Sequence, residues 1–380
     1  MGLVNGQDVL FPHFCGVEFD IHGIVGIRLI DPAPKDATGL MKQLGPYRAS
    51  LEREPDITIR FQKELFPSGL KYLGLNSAGF TEEGFYVLGR SDGEVKARIP
   101  FRDIGGPCEI VCRSGLQAVP LLFDVIRLAL LRKDYIPLHA SAFVYNGIGI
   151  LVVGWSKGGK TEALLSFANH GAHYVGDEWV ILSQDGHRMF GLPVPVTMWE
   201  WQFEQIPDLL PEISVRKRMM FALVHCLDAV YRTFGRGNLQ NLFPVDVLGK
   251  LLPIARQGLN VQALPQSLFQ DRVCEQGASL DKIFLLVSHS KADITIEPRA
   301  AVEITQRIVH SNEYEQKDFF QTYAAFKFAF PGLRNEFLEQ APILQSSLLY
   351  NALGGKEAYE VLHPYPVSFD ELFERMRGVL

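Results

Sequence analysis

Apolar and polar positions alternate in short runs through the first part of the chain, which predicts β-strands rather than helices. Residues 23–30, 56–61 and 84–88 are such runs, and proline, glycine and Asp-Gly turn signals separate them. Ser91-Asp92-Gly93 lies between two runs and predicts a hairpin. This part of the sequence shows no motif of known chemistry. We therefore predict a β-rich accessory domain over residues 1–115.

The hydrophobic period becomes that of a helix at Leu116. Apolar residues recur at spacings of three and four as far as Leu130, and Arg132 and Lys133 follow where cations favour a helix end. The pattern then predicts strands, a helix and a further strand over 142–145, 149–153, 161–169 and 173–182. From residue 281 onward it predicts strands, helices and a final strand–helix pair over 282–288, 294–297, 299–330, 333–350 and 359–379. This order predicts an α/β fold over residues 116–380.

Residues 200–275 interrupt this order and predict a mostly helical insertion, or lid. Between residues 213 and 256, seven basic residues stand against two acidic ones, Asp228 and Asp246. The basic residues are Arg216, Lys217, Arg218, Arg232, Arg236, Lys250 and Arg256. Two interpretations stay open: a solvated helix face, or a docking surface for phosphate or an acidic partner.

Length and composition limit the function classes. A chain of 380 residues is longer than one hydrophobic core usually serves, which favours two domains or one domain with a large insertion. The net charge of -6 and the pI near 6.0 argue against a nucleic-acid partner. The longest apolar stretch, 118–131, contains Pro120, Asp124 and Arg127, so no membrane span is expected. The five cysteines lack CxxC spacing, which predicts free thiols and a cytoplasmic location.

A phosphate-binding loop is predicted at 154–161, where Gly154-Trp-Ser-Lys-Gly-Gly-Lys-Thr fits the pattern G-x-x-x-x-G-K-[ST]. An apolar strand precedes the loop and an amphipathic helix follows it, as a phosphate loop requires. Glycines let successive N–H groups converge on a phosphate, and the helix N-terminus adds positive potential. We assign nucleotide contacts to Gly154, Ser156, Lys157, Gly158, Gly159, Lys160 and Thr161.

Within this loop, Lys160 is expected to reach the β- and γ-phosphates of ATP, and the Thr161 hydroxyl to bind Mg²⁺. Trp155 and Lys157 are unusual loop residues. Lys157 either adds a second positive charge near the phosphates or points to solvent, and the sequence does not separate these alternatives. A glycine-rich turn without a ligand is the alternative for the loop as a whole.

Asp177 and Glu178 form the expected acidic part of the site. They follow an apolar strand, about one helix and one strand after the loop. Because adjacent residues on a strand point to opposite faces, one carboxylate is expected to bind the metal and the other to make a different contact. Two close carboxylates tend to have separated pKa values, so one of them suits a general base. The alternative is an acidic pair on a surface hairpin. His139, just before the first strand, has on spacing alone either a structural or a functional role.

The string Leu138-His-Ala-Ser-Ala, the Asn146-Gly turn, the loop Gly154-x-Ser-x-Gly-Gly-Lys-Thr and Gly171…Gly176-Asp-Glu together resemble the HPr kinase/phosphorylase superfamily, in particular its HPr-kinase-like branch. The resemblance implies a P-loop kinase core like that of phosphoenolpyruvate carboxykinase. It also implies that Asp177 and Glu178 supply metal ligand and base, and that His139 lies near the γ-phosphate. The family commonly has glycine where this chain has Lys157, and two aspartates where it has Asp177-Glu178.

From these observations we expect an ATP- and Mg²⁺-dependent kinase that transfers the γ-phosphate to a hydroxyl of a peptide, a protein or a small molecule. Catalysis is assigned to His139, Lys160, Asp177 and Glu178, and Mg²⁺ binding to Thr161, Asp177 and Glu178. An arginine of the insertion is an expected additional clamp on the phosphates. The alternatives are an ATP-binding regulatory or assembly protein and an ATPase without an acceptor. The sequence leaves the oligomeric state open, with a homo-oligomer among the options.

Overall fold

The computed structural model describes residues 16–73, 78–88, 94–116, 118–192, 194–209, 213–234, 245–256 and 258–380. The hairpin turn predicted at residues 91–93 lies outside them. The α-helices are α1 (Pro34–Leu44), α2 (Leu122–Arg132), α3 (Lys160–Ala168), α4 (Val215–Phe234), α5 (Val245–Arg256), α6 (Pro265–Phe269), α7 (Ala301–Ala329), α8 (Glu336–Leu353) and α9 (Phe369–Arg377). Short 3₁₀ helices span Gly45–Tyr47, Glu200–Gln205 and Pro207–Leu209.

The strands of the described residues, numbered along the chain, fall into four sheets. They are β1 (Glu18–Ile21), β2 (Val25–Ile30), β3 (Ile57–Gln62), β4 (Lys71–Tyr72), β5 (Ala78–Thr81), β6 (Gly84–Leu88), β7 (Val95–Ile99), β8 (Cys108–Arg113), β9 (Ile136–Leu138), β10 (Ala140–Tyr145), β11 (Ile148–Gly154), β12 (His173–Gly176), β13 (Val180–Leu182), β14 (Arg188–Gly191), β15 (Val196–Trp199), β16 (Asn260–Ala263), β17 (Ala278–Ser279), β18 (Lys282–Ser288), β19 (Thr295–Pro298) and β20 (Glu357–His363).

An eight-stranded sheet occupies the N-terminal part of the chain, in the order β1-β2-β3-β8-β7-β6-β5-β4. Strands β2, β3 and β8 run parallel, and the other pairs are antiparallel. Helix α1 departs from the all-strand expectation. It begins with Pro34, which suits the first helical position, and buries Ala37, Leu40 and Leu44 at helical spacing.

Helix α2 begins at Leu122, six residues later than the pattern predicted. The chain at Leu121 has a left-handed backbone with φ of 55°, and Pro120 disfavours a helical conformation for the residue before it. The helical spacing of apolar residues therefore begins at Leu116, before the helix itself begins at Leu122. From Leu122 on, the helix buries Ile126 and Leu130 as the pattern indicated and also Val125, whereas Phe123 is half-buried.

A six-stranded mixed sheet carries the predicted phosphate loop, in the order β12-β10-β11-β18-β20-β19. Its centre, β11-β18-β20, is parallel. Alternate side chains of β11 enter two different apolar cores: Leu151 and Val153 pack on one face, Ile150 and Val152 on the other. The sheet is thus buried on both faces, as expected for parallel strands.

The single strand predicted over 173–182 is wrong: the chain turns at Asp177 and Glu178 and forms two strands. Strand β12 joins the six-stranded sheet, and β13 joins a four-stranded sheet in the order β17-β14-β13-β9. Glu178 has φ of 65°, a left-handed backbone that ends regular pairing. The two carboxylates therefore lie at a junction between two sheets.

The region 200–275 contains α4, α5, α6 and the two short 3₁₀ helices, together with strand β16, which pairs antiparallel with β15. One apolar core extends across residue 115, because Phe19 and Ile57 of the eight-stranded sheet belong to the same buried cluster as Ile126 of α2 and Leu349 of α8. The domain boundary at residue 115 stays a prediction.

The described residues form a mixed α/β fold with several sheets, which confirms the fold class at that level. Among the helices that the structure describes, none is both long and apolar enough to cross a membrane.

Candidate functional site

The loop 154–161 lies at the carboxyl end of β11, beside the parallel strand β18, and leads directly into α3. Its backbone is tightly folded: the Gly158 N–H donates to the Trp155 carbonyl at 3.0 Å, and Gly159 has φ of 99° just before the helix. A left-handed residue at this position favours glycine. The strand, loop and helix therefore have the order that phosphate binding requires.

Packing leaves little room for side chains at the loop glycines. A Cβ on Gly154 would lie 2.7 Å from the Leu286 carbonyl oxygen, and one on Gly158 would lie 2.9 Å from the Trp155 carbonyl oxygen. A Cβ on Gly159 would lie 2.8 Å from Nε2 of His363, a buried residue at the end of β20. The fold itself thus requires the glycines that keep the loop backbone open to a ligand.

Lys160 is buried at the end of the loop, where α3 begins, although it carries a charge. Its Nζ donates to the Trp155 carbonyl at 2.9 Å and to the Gly154 carbonyl at 3.4 Å. Burial lowers the pKa of Lys160, while the nearby carboxylates of Glu178 and Asp177 favour the protonated form. A desolvated lysine held against two carbonyl oxygens is poised to exchange them for a stronger anionic partner.

Asp177 lies at the centre of a buried cluster of oxygen atoms. Thr161 Oγ1 donates toward its two carboxylate oxygens at 3.2 and 3.1 Å, and Ser141 Oγ donates to Oδ1. The side chain is almost fully buried. Burial and the neighbouring Glu178 raise the pKa of Asp177 to about 7, against the hydrogen bonds from Ser141 and Thr161. This carboxyl therefore changes its charge near neutral pH.

Glu178 makes a different set of contacts from its neighbour. Its Oε2 lies 3.1 Å from Nε2 of His139, and 40% of its side chain remains exposed. The hydrogen bond from His139 lowers the pKa of Glu178, so the pair of adjacent carboxyls has separated pKa values. Asp177 faces the loop threonine, and Glu178 faces the histidine.

His139 connects this pair to helix α7. Its backbone N–H donates to Asn312 Oδ1 at 3.1 Å, and its Nδ1 lies 3.3 Å from Glu315 Oε1. Both Nδ1 of His139 and Oε1 of Glu315 are buried, and neither atom makes a hydrogen bond within the described part of the chain. The Ser311 hydroxyl of the same helix donates to the Gly154 carbonyl at 3.1 Å. Helix α7 thus supports both the loop and the histidine.

The structure therefore brings His139, Lys160, Thr161, Asp177 and Glu178 together. Ser156 and Lys157 line a cavity of about 440 Å³ beside the loop, together with His139, Gly154 and Gly158. Lys157 is exposed and has φ of 61°, which explains why glycine suits this position.

The sequence analysis did not identify Ser141, Ser311 or Glu315 as site residues. Ser141 could have been predicted, because it belongs to the same short sequence string as His139. Its hydroxyl donates to Asp177. Glu315 and Ser311 had no local signal, because their place on α7 depends on how a distant helix packs.

The basic residues of the insertion do not reach this site in the described structure. None of those described between 213 and 256 lines the cavity beside the loop. Arg232 and Arg256 both pair with Asp228 instead. The expected clamp by an arginine of the insertion has no support in these contacts.

The donor atoms at Thr161 and Asp177 are hard oxygens, which fit Mg²⁺. The described residues contain no group of three or more His, Cys, Asp or Glu side chains arranged for a resident metal. A protein site of one carboxylate and one hydroxyl suits Mg²⁺ that takes its remaining ligands from phosphate and water. The residues present therefore fit a metal that arrives with a nucleotide.

Comparison with models of known protein families found no match, and comparison with curated proteins found none either. The resemblance to HPr-kinase-like proteins thus stays a prediction from the motifs.

Proposed function

We propose that this protein is an ATP-dependent phosphotransferase with a P-loop core of the phosphoenolpyruvate-carboxykinase type, and that it transfers the γ-phosphate to a hydroxyl group. The observation that carries the proposal is the buried contact of Thr161 with Asp177 beside Lys160, at a strand–loop–helix junction. Such a junction supplies amide donors, a cation and a metal-binding carboxylate within one small volume.

Each residue has one role in the proposed mechanism. Thr161 and Asp177 would hold Mg²⁺, which when bound neutralises phosphate charge and orients the triphosphate. Lys160 would leave the Gly154 and Trp155 carbonyl oxygens and pair with the β- and γ-phosphates. The loop amides would stabilise the charge that spreads over the transferred group.

Glu178 is the proposed general base. It is ionised more readily than Asp177, stays accessible, and is oriented by His139. The acceptor O–H would give its proton to Glu178 while its oxygen bonds to the γ-phosphorus and the bond to the ADP oxygen breaks. Asp177, which is buried against Thr161 and Ser141, is poorly placed to receive that proton.

The test is transfer of label from γ-³²P-ATP to mixed synthetic peptides that contain serine, threonine or tyrosine, and to a panel of small alcohols. We expect labelled product that depends on Mg²⁺ and is lost in Glu178→Gln, by about 10²–10⁴-fold if the residue is the general base. ADP release at the same rate without any labelled acceptor would favour the ATPase alternative. ATP binding without ADP release would favour a regulatory or assembly protein.

A further inference from the structure

The cavity beside the loop is lined by residues from three elements. Loop residues 154–158 and His139 contribute to it, together with residues 285–288 at the end of β18 and Arg307, Ile308, His310 and Ser311 of α7. Its volume of about 440 Å³ lies within the range of small-molecule sites, roughly 300–1,000 Å³. The proposed roles of Lys160, Thr161, Asp177 and Glu178 do not involve this cavity.

The cavity lies at the end of the loop where the transferred phosphate is expected. Lys160 Nζ contacts the Gly154 and Trp155 carbonyl oxygens, and both residues line the cavity. Because this lysine is the cation that reaches the β- and γ-phosphates, its position marks the γ-phosphate end. His139 lies in the cavity wall and contacts Glu178, the proposed base. Lys160 and Glu178 are not in the cavity wall themselves, but each contacts residues that are, so a group in this cavity would lie one side chain away from both the phosphate position and the base.

The walls are mainly apolar. Leu285, Val287 and Ile308 line the side opposite the loop, and Trp155 lines the loop side with 52% of its surface exposed. The Trp155 ring lies 4.7 Å from the Tyr314 ring, centroid to centroid, which holds the indole at the cavity mouth. An exposed tryptophan beside aliphatic walls fits a flat or branched apolar group.

Three of the polar side chains in the wall are already engaged, whereas Ser156, Lys157 and Ser288 also line it. The Ser311 hydroxyl donates to the Gly154 carbonyl, and Arg307 donates to Glu360 at 2.7 Å. His310 lies 3.2 Å from Glu313. A sugar or polyol in this mainly apolar cavity would give up hydrogen bonds to water and regain few of them, with Ser156, Lys157 and Ser288 as the available partners, which is costly. The wall therefore favours an acceptor with an apolar group over a polyhydroxylated one.

We propose that this cavity binds the acceptor, and that the acceptor is a hydroxyl attached next to an apolar group about the size of an aromatic ring. This inference rests on the proposed phosphotransferase function and specifies its substrate class. The apolar group would lie between Trp155 and the wall formed by Val287 and Ile308. Its hydroxyl would point toward Glu178, lose its proton there and bond to the γ-phosphorus as ADP leaves.

The experiment compares three probes: N-acetyl-phenylalanyl-serinamide, N-acetyl-glycyl-serinamide and glucose. Binding to the full-length protein is measured by calorimetry, with Mg·ATP binding measured in parallel samples. We expect the phenylalanyl peptide to bind at least about 10-fold more tightly than the glycyl peptide, and glucose to bind least, because an apolar pocket discriminates by buried apolar groups.

Two cavity variants test the location. Val287→Asp places a charge in the apolar wall, and Val287→Thr keeps the shape while adding a hydroxyl, so a folding defect in the first does not end the test. Both variants should bind the phenylalanyl peptide more weakly than the wild type does, and Val287→Asp should weaken that binding by about 10-fold or more. The matched control is Ile343→Asp, at a position on α8 that is 71% exposed and outside the cavity, which should leave peptide binding unchanged.

The inference is overturned if the three probes bind alike, if none binds, or if both Val287 variants bind the phenylalanyl peptide as the wild type does. It is also overturned if adenosine displaces that peptide, since the cavity would then hold the nucleobase. Mg·ATP binding and transfer of label from γ-³²P-ATP to the mixed peptides, measured on the same protein, separate these outcomes from a failure of the kinase proposal, which would show as loss of nucleotide binding or as no labelled acceptor.

Discussion

Two aspartates, one in each major part of the molecule, are almost completely buried, and their partners differ in kind. Asp36, at the start of α1, accepts hydrogen bonds from the backbone N–H groups of Ala33 at 3.0 Å and Gly115 at 2.7 Å. Asp177, between two sheets, accepts from the hydroxyls of Thr161 and Ser141. Both carboxylates have hydrogen-bond donors, but only the hydroxyl donors of Asp177 can rotate to other partners.

The difference separates a structural carboxylate from a functional one. Backbone amides are fixed by the fold, so Asp36 ties α1 to the segment after β8 and has nothing to exchange. Hydroxyls are also acceptors, and they can turn to share a metal ion with the carboxylate. Asp177 in addition lies near Lys160 and Glu178, and its pKa is shifted to about 7. A buried titratable group with a shifted pKa and charged partners at a cavity is typical of functional sites.

The largest expected effect is that of Asp177→Asn on turnover. Loss of a residue that only orients a metal ligand costs about 10–100-fold, so loss of the ligand itself should cost more than about 100-fold in Mg²⁺-dependent phosphoryl transfer. Labelled-ATP assays over a range of Mg²⁺ concentrations measure this. Unchanged transfer at low Mg²⁺ would remove Asp177 from the metal site.

The pH dependence of stability should carry the signature of the same carboxyl. Because the pKa of Asp177 is raised from 3.8 to about 7 on folding, its contribution to stability is complete below pH 3.8 and is lost as the pH rises to about 7. Without nucleotide or Mg²⁺, the melting temperature of Asp177→Asn should therefore rise relative to that of the wild type between pH 5 and pH 8. A difference in melting temperature that stays the same at both pH values would refute this assignment.

Asp36→Ala should show the opposite pattern, with lower stability and unchanged chemistry. It removes two part-buried hydrogen bonds from the N–H groups of Ala33 and Gly115 to a carboxylate, which costs about 1–3 kcal/mol. Urea unfolding gives the free energy, and labelled-ATP transfer per folded molecule gives the activity. A stable protein with impaired transfer would erase the distinction between the two aspartates.

The smallest expected effect belongs to the surface pair of Arg60 and Glu109, whose closest atoms are 2.8 Å apart. Both side chains are about one third exposed, and such pairs contribute roughly 0.2–1 kcal/mol. Glu109→Gln should lower the urea midpoint slightly and leave nucleotide binding unaltered. A loss of more than about 2 kcal/mol would show that this pair does more than surface pairs usually do.

Local patterns predicted the elements around the loop because strand, glycine-rich turn and helix are consecutive in the chain. The pairing of Asp177 with Thr161, by contrast, depends on where β12 ends against β10, which no window of the sequence contains. The turn at Glu178 was missed for a related reason: apolar residues continue on both sides of it, so the run looks like one strand although it enters two sheets.

Long-range packing explains what the sequence did not predict at the site. Glu315 and Ser311 reach His139 and Gly154 from α7, more than 150 residues away along the chain. Helix α1 was missed because its apolar positions were read within a stretch of strands, although Pro34 marks its start. The residue types in short motifs could be predicted to form a site from the sequence alone, whereas contacts between elements distant in the chain could not.

The most direct test of the central claim is calorimetry of Mg·ATP with the wild type, Lys160→Ala and the control Glu109→Gln. We expect saturable binding to the wild type and to Glu109→Gln, and loss of binding in Lys160→Ala, because Lys160 is the cation held at the loop by the Gly154 and Trp155 carbonyl oxygens. Equal binding to all three proteins, or binding to none, would contradict the assignment of a phosphate site to this loop.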